Sequence, residues 1–233
     1  MKLQKNDFIE IEFTGRVKST GEIFDSNVKQ DLAKITENVR NKPEAKPLAF
    51  ALGQEMFVRG VDDFFIGSEF APGESYKIEL TPEKAFGKRN PSLVRIVPVR
   101  VFHEQNLNPQ PGMMFNMDNL LARIISVSGG RVMTDFNNPL AGKEVVYNIK
   151  VLRKLDSTEE KIKAMMNFLF KQELKFEVDE KSKKVFIEAE KKLGEFLKIF
   201  NDKFKEILGL EIELKAKEEN KAKNKIKEPK KPQ

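Results

Sequence analysis

The chain has no cysteine and a single histidine in 233 residues. The first absence removes disulfides, thiolate nucleophiles and every zinc site that needs sulfur. The second leaves a Ser-His-Asp triad, a two-histidine metal site or a histidine relay with nothing but His103 to draw on. His103 sits between Phe102 and Glu104-Gln105-Asn106 and reads as a surface residue, so neither a metal site nor a cofactor is expected. No run approaches the roughly 20 apolar residues that span a bilayer, and MKLQKNDFIE has no apolar core of the kind a secretory signal needs. A cytoplasmic protein without membrane attachment is the expectation. Dinucleotide, Walker and HExxH motifs are missing as well, and no carboxylate spacing picks out a catalytic pair.

What is present suits a globular chain: 39% hydrophobic and 33% charged residues, enough for one to three domains at about 100 to 200 residues each. The net charge of +6 comes from 42 basic and 36 acidic residues, and Ala216 to Gln233 carry seven Lys against three Glu, or +4 of it. The body is then near +2, and nucleic acid is not an expected partner of the folded part. Residues 217–233 read as a disordered Lys-rich tail, with RNA or ribosome contact as the sharper alternative.

Ile9, Ile11 and Phe13 alternate with Glu10 and Glu12, the period of a half-buried strand, and Thr14-Gly15 reads as its end. A polar turn leads to a second strand, Ile23 to Ser26, and residues 28 to 47 read as a surface loop with one helical turn near Leu32 and Ile35. Leu48 to Gly53 reads as a short strand, Met56, Val58 and Val61 to Phe65 as a short helix ending before Gly67, and Tyr76, Ile78 and Leu80 as another strand. From Lys88 to Pro139, short apolar runs are separated by Gly and Pro at intervals that favour a small all-β module. Val145 to Leu152 resumes a strand. Beyond it Ser157-Thr158-Glu159-Glu160 is a capping-box sequence, and residues 156 to 216 read as helix, strand, strand, helix, strand, the second helix carrying Leu193, Phe196, Leu197, Phe200, Phe204, Ile207 and Leu208. The expected class is α+β.

Phe13-Thr14-Gly15, Gly21-Glu22-Ile23-Phe24-Asp25-Ser26, Leu52-Gly53 through Phe57-Val58-Arg59-Gly60-Val61, and Ala85-Phe86-Gly87 occur in the order found in FKBP-type peptidyl-prolyl isomerases, and Val146 to Val151 is similar to the strand that closes their sheet. The chain is therefore identified by resemblance as a member of that family. Residues 88–139 stand where SlyD-like members carry an insert-in-flap domain, and the C-terminal unit resembles that of the long archaeal type.

The resemblance implies an FKBP-like antiparallel sheet with a short helix over residues 1–87 and 140–155, an inserted small all-β domain over 88–139, and a C-terminal α/β domain over 156–216. It implies a pocket lined by Phe13, Phe24, Asp25, Leu48, Phe57, Val58, Val61, Phe86 and Tyr147, with Asp25 orienting the bound segment by hydrogen bonding. Phe13 and Phe86 stand where the family often has Tyr, and Val61 where many members have Trp, which implies a roomier, more apolar pocket. It further implies a prolyl isomerase that doubles as a folding chaperone, with unfolded X-Pro-containing polypeptides as partners. Ile96, Val99, Phe102, Met113, Met114 and Phe115 of the insert would hold their apolar stretches. A non-catalytic holdase is the alternative. The wide apolar stripe of the C-terminal unit reads as core by its helical period, with a homodimer through that unit as the sharper alternative.

The residue chemistry agrees independently. Rotation about an X-Pro bond crosses roughly 18 to 20 kcal/mol because amide resonance is lost at the twisted state. An apolar cleft with a few orienting hydrogen bonds favours that less charge-separated state without Cys, His or metal.

Overall fold

The computed structural model describes residues 2–37, 39–117, 120–171, 174–189, 193, 197 and 199–216. The expectation for residues 217–233 lies outside them, as does that for Phe196. The chain divides into two compact units between Leu155 and Asp156.

The first unit is organised by two long antiparallel strands, β1 (Phe8–Val17) and β9 (Val145–Leu155). β4 (Ser75–Leu80) pairs with the other side of β9. The free edge of β1 is shared by two short strands: β3 (Leu48–Ala51) covers Phe8 to Ile11, and β2 (Ile23–Ser26) covers Thr14 to Arg16. In the gap between them the side chain of Asn27 takes over the ladder, accepting from the Phe13 amide at 2.7 Å and donating to the Ile11 carbonyl at 2.9 Å, so the buried backbone stays satisfied. Helix α2 (Arg59–Phe65) buries Val61 and Phe65, and Phe8, Ile11, Phe50, Leu52, Ile78, Leu80 and Ile149 fill the surrounding core.

Two local expectations are corrected. Thr14-Gly15 does not end β1, which continues to Val17 because β9 pairs with it along its whole length. Residues Lys29–Ile35 form a two-turn helix, α1, rather than a single turn in a loop. It is tied to β1 where Asp31 accepts from Thr14 at 3.0 Å and from Arg16 at 2.9 Å.

Between β4 and β9 the chain leaves the body and returns as a separate four-stranded sheet in the order β5-β8-β7-β6: β5 (Val94–Pro98), β6 (Met114–Met117), β7 (Leu120–Ser128) and β8 (Arg131–Asp135). It departs from an all-β module at a 3-10 turn, Pro91–Leu93, and at α3 (Val99–Glu104), where Val99 and Phe102, one helical turn apart, face the insert's own core with Phe115, Ala122, Ile124 and Val132. The crossing points are fastened together. Gly142 donates to the Gly87 carbonyl at 2.8 Å, Asn137 exchanges hydrogen bonds with Asn90, and Arg89 pairs with Asp135.

In the second unit α4 (Thr158–Phe170) precedes an antiparallel pair, β10 (Phe176–Asp179) and β11 (Lys184–Ala189). α5 (Asn201–Leu208) then leads into β12 (Glu211–Ala216), which runs parallel to β11. Ser157 stands at the start of α4, yet its side chain makes no capping bond. Leu193, Leu197 and Ile199 are helical, but a turn at Phe200 separates them from α5, so the expected stripe is not one helix.

Candidate functional site

The strand framework gathers aromatic residues from distant parts of the sequence. Tyr147 on β9 lies edge-on to Phe24 (centroids 5.6 Å apart) and to Phe57 (5.4 Å), and tilted against Phe13 at 6.1 Å. Phe13 in turn meets Phe57 at 4.8 Å, and Phe24 meets Phe86 at 5.5 Å. These rings form a continuous cup in which Phe13 and Tyr147 are buried while Phe24, Phe57 and Phe86 are half-exposed at the wall.

Two details of β1 and β2 make the cup. Gly15 pairs with Asp25 on one side and Tyr147 on the other, and a Cβ there would lie 2.6 Å from Phe24 Cζ and 2.9 Å from Tyr147 Cε1. The missing side chain is what lets both rings close over the strand. Next to it the register shifts, so that Arg16 pairs with Ile23 and Phe24 becomes the extra residue of a β-bulge. Strict alternation would turn Phe24 and Asp25 to opposite faces; with the bulge, Phe24 packs on Tyr147 while Asp25 acts electrostatically on the same residue. Ser26 anchors the bulge by donating to the Phe13 carbonyl at 2.9 Å.

Asp25 stands at the rim, where water reaches it. Partial burial still pushes its carboxyl above the ordinary range, with the Ser26 amide opposing in part. The Tyr147 phenol is raised, first by burial and then by Asp25, and stays protonated throughout the neutral range.

Of the other expected pocket residues, Leu48 and Val58 are half-buried, and Val61 lies fully buried in the first turn of α2. Phe50 is an aromatic neighbour of the cup that the motifs do not single out. It is buried and backs Phe57 at 5.4 Å, and its spacing of two from Leu48 on β3 is the signal that points to it.

In the insert, Phe102 and Phe115 turn inward and meet at 5.0 Å, with Val99 and Met113 packed against them. Four of the six residues expected to face a client thus build the module's own core. Ile96 (60% exposed) and Met114 remain outside, where the sheet also exposes Leu120, Leu121, Ile125, Val127 and Met133. Ile96 and Met133 are direct cross-strand partners. A cleft of about 860 Å³ lies between this sheet and the body, lined among others by Glu22, Met114, Leu121, Arg123 and Lys143.

One buried carboxylate lies apart from the cup. Asp62 in α2 is 3% exposed and its oxygens lack a well-formed hydrogen bond among the described residues; burial raises it to about 6, against a smaller opposing pull from the Gly53 and Glu55 amides. Below the unfolded value near 4 both states are protonated, and between there and about 6 the folded state holds the extra proton. Stability should therefore fall by about 2 kcal/mol as pH rises from roughly 4 to 6, and level off above. Urea midpoints across that range would show the slope, and Asp62→Asn should abolish it. An unchanged slope in that variant would assign it to another group.

No group of His and acidic residues able to hold a metal occurs among the described residues, and no described helix is long and apolar enough to cross a membrane. Residues 1–103 match the family model of FKBP-type peptidyl-prolyl cis-trans isomerases, and residues 95–140 match that of the FKBP26 IF domain. The chain is 30% identical to a short-type peptidyl-prolyl cis-trans isomerase of Methanocaldococcus jannaschii over 64% of its own length and 92% of the relative's. It is 32% identical to the FKBP-type 16 kDa isomerase of Escherichia coli over 54% of this chain and 84% of that one. Identity to SlyD of Helicobacter pylori is 28%, covering 66% and 76%. With a sheet that assembles the aromatic cup around Tyr147 and a sequence that matches nearly the whole of such a relative, the chain belongs to the FKBP-type peptidyl-prolyl cis-trans isomerase family.

Proposed function

We propose that the aromatic cup is the isomerase site and that the outer face of the insert captures apolar stretches of unfolded, proline-containing chains for it, making this protein a folding chaperone as well as a catalyst. The observation that carries the first half is the convergence of Phe13, Phe24, Phe57, Phe86 and Tyr147 into one aromatic cup, with the Asp25 carboxylate at its rim acting electrostatically on Tyr147. A proline ring entering the cup trades water for aromatic surface. The amide loses charge separation as it twists, so an apolar wall disfavours the planar ground state more than the transition state. Asp25 at the rim would accept a peptide N–H and fix the segment while one side of the amide rotates. Leu48, Val58 and Val61 would complete the lining.

The second half rests on the sheet of the insert. Its exposed Ile96, Met114, Leu121, Ile125 and Met133 come from all four strands and give an apolar surface with flexible methionines, suited to varied sequences. The adjoining cleft borders Glu22, three residues ahead of Asp25, so a captured chain reaches the cup over a short distance.

Asp25→Ala tests the site. Its kcat/KM toward a short Xaa-Pro peptide, followed without a coupling protease, should drop roughly tenfold to a hundredfold, the worth of a hydrogen bond to a charged group. Wild-type turnover in that variant would move the active site elsewhere.

A further inference from the structure

The chain has two tyrosines and no tryptophan. One phenol is accounted for: Tyr76 donates to Glu74 at 2.7 Å. The other, Tyr147, is 1% exposed, walled by Phe13, Phe24 and Phe57, and has no hydrogen-bond partner among the described residues. The ring is buried, but its hydroxyl oxygen keeps a little exposed surface, so water or a ligand carbonyl in the cup can accept its proton. None of the neighbouring rings can accept its proton as a carbonyl would. The pocket therefore holds one unused donor, on the strand position that shares Gly15 with Asp25.

We propose that the Tyr147 hydroxyl is the cup's hydrogen-bond donor, engaging a backbone carbonyl of the bound Xaa-Pro segment while Asp25 accepts from its N–H. This rests on the cup being the isomerase site. The pair is complementary by construction: Asp25 ionised accepts only, and a protonated phenol supplies the proton that Asp25 lacks. Gly15 between them leaves the space over β1 to the ring and the ligand instead of to a side chain.

Physical chemistry also says which carbonyl. The oxygen of the rotating amide carries negative charge through resonance, and a donor placed on it would stabilise the planar form and slow rotation. The productive partner is a carbonyl flanking the rotating bond. Such a bond exists equally in ground and transition states, so its loss raises KM and spares kcat.

Tyr147→Phe removes one oxygen and keeps the ring packing. With a short Xaa-Pro peptide its KM should rise about five- to tenfold with kcat within about twofold of wild type. In a Tyr76→Phe background Tyr147 is the sole phenol, and its ultraviolet band should shift to longer wavelength when the peptide saturates the site. An unchanged KM, with Asp25→Ala still impaired, overturns the donor role. So does a phenol band that ignores the peptide. If Asp25→Ala and Tyr147→Phe are both silent, the cup is not the isomerase site and the inference falls with it.

Discussion

Excising Lys88 to Asn138 should leave catalysis of a short Xaa-Pro peptide within about threefold of the intact chain, while slowing catalysed refolding of a proline-limited protein by about a hundredfold, the usual scale of effective-concentration gains. The body should survive the cut. Gly142 already donates to Gly87 at 2.8 Å, so Pro139, Leu140 and Ala141 would close a short turn between ends that touch. None of the cup rings lies in the excised stretch, and the insert's buried core of Phe102, Phe115, Ala122, Ile124 and Val132 leaves with it as a unit. What is lost is the exposed apolar sheet, and with it the local supply of captured chain. Refolding rates measured beside peptide turnover on the same preparation separate the two activities. Equal rates for excised and intact protein on the protein substrate would defeat the capture role.

Gly15→Ala should abolish most peptide turnover, by more than about tenfold, at a stability cost of about 1 to 3 kcal/mol typical of overpacking. The cost is steric alone, because Gly15 does not have a positive φ and alanine fits its backbone. The new methyl would meet Phe24 at 2.6 and 2.8 Å and Tyr147 at 2.9 Å, all closer than carbon atoms allow. Tyr147, buried and braced on Phe57 at 5.4 Å, has no free room to retreat, whereas Phe24 leans on Phe86 at 5.5 Å with one side open to solvent. The half-exposed Phe24 is the one that yields, swinging toward solvent and opening the wall of the cup. Peptide kinetics together with the ring-current shifts of the cup aromatics would record this. A variant with native turnover would show that the contact over Gly15 is not needed for the site.

The elements most legible in sequence are those whose neighbours leave a periodic imprint. Alternation at Ile9, Ile11 and Phe13 marks β1, and alternation at Tyr76, Ile78 and Leu80 marks β4. The order of the short motifs groups Phe13, Phe24, Asp25, Phe57, Phe86 and Tyr147 as one pocket, although no two of the motifs that carry them pair through local periodicity. Composition alone removes thiol, triad and two-histidine chemistry.

Periodicity is silent about which neighbour a residue will have, and there the tertiary structure decided. Gly15 reads locally as a stop and is instead a clearance under two rings, because a glycine's reason can lie across the sheet. Phe24 and Asp25 should alternate, and one bulge residue puts both to use at the cup. In the insert, Phe102 and Phe115 are as apolar as Ile96 and Met114. Only the docking of α3 on the sheet decides that the first two are core and the last two surface. Local sequence determines how strongly a residue seeks burial and with what period. The packing partner determines which face is covered, and in this protein that partner comes from a distant part of the chain.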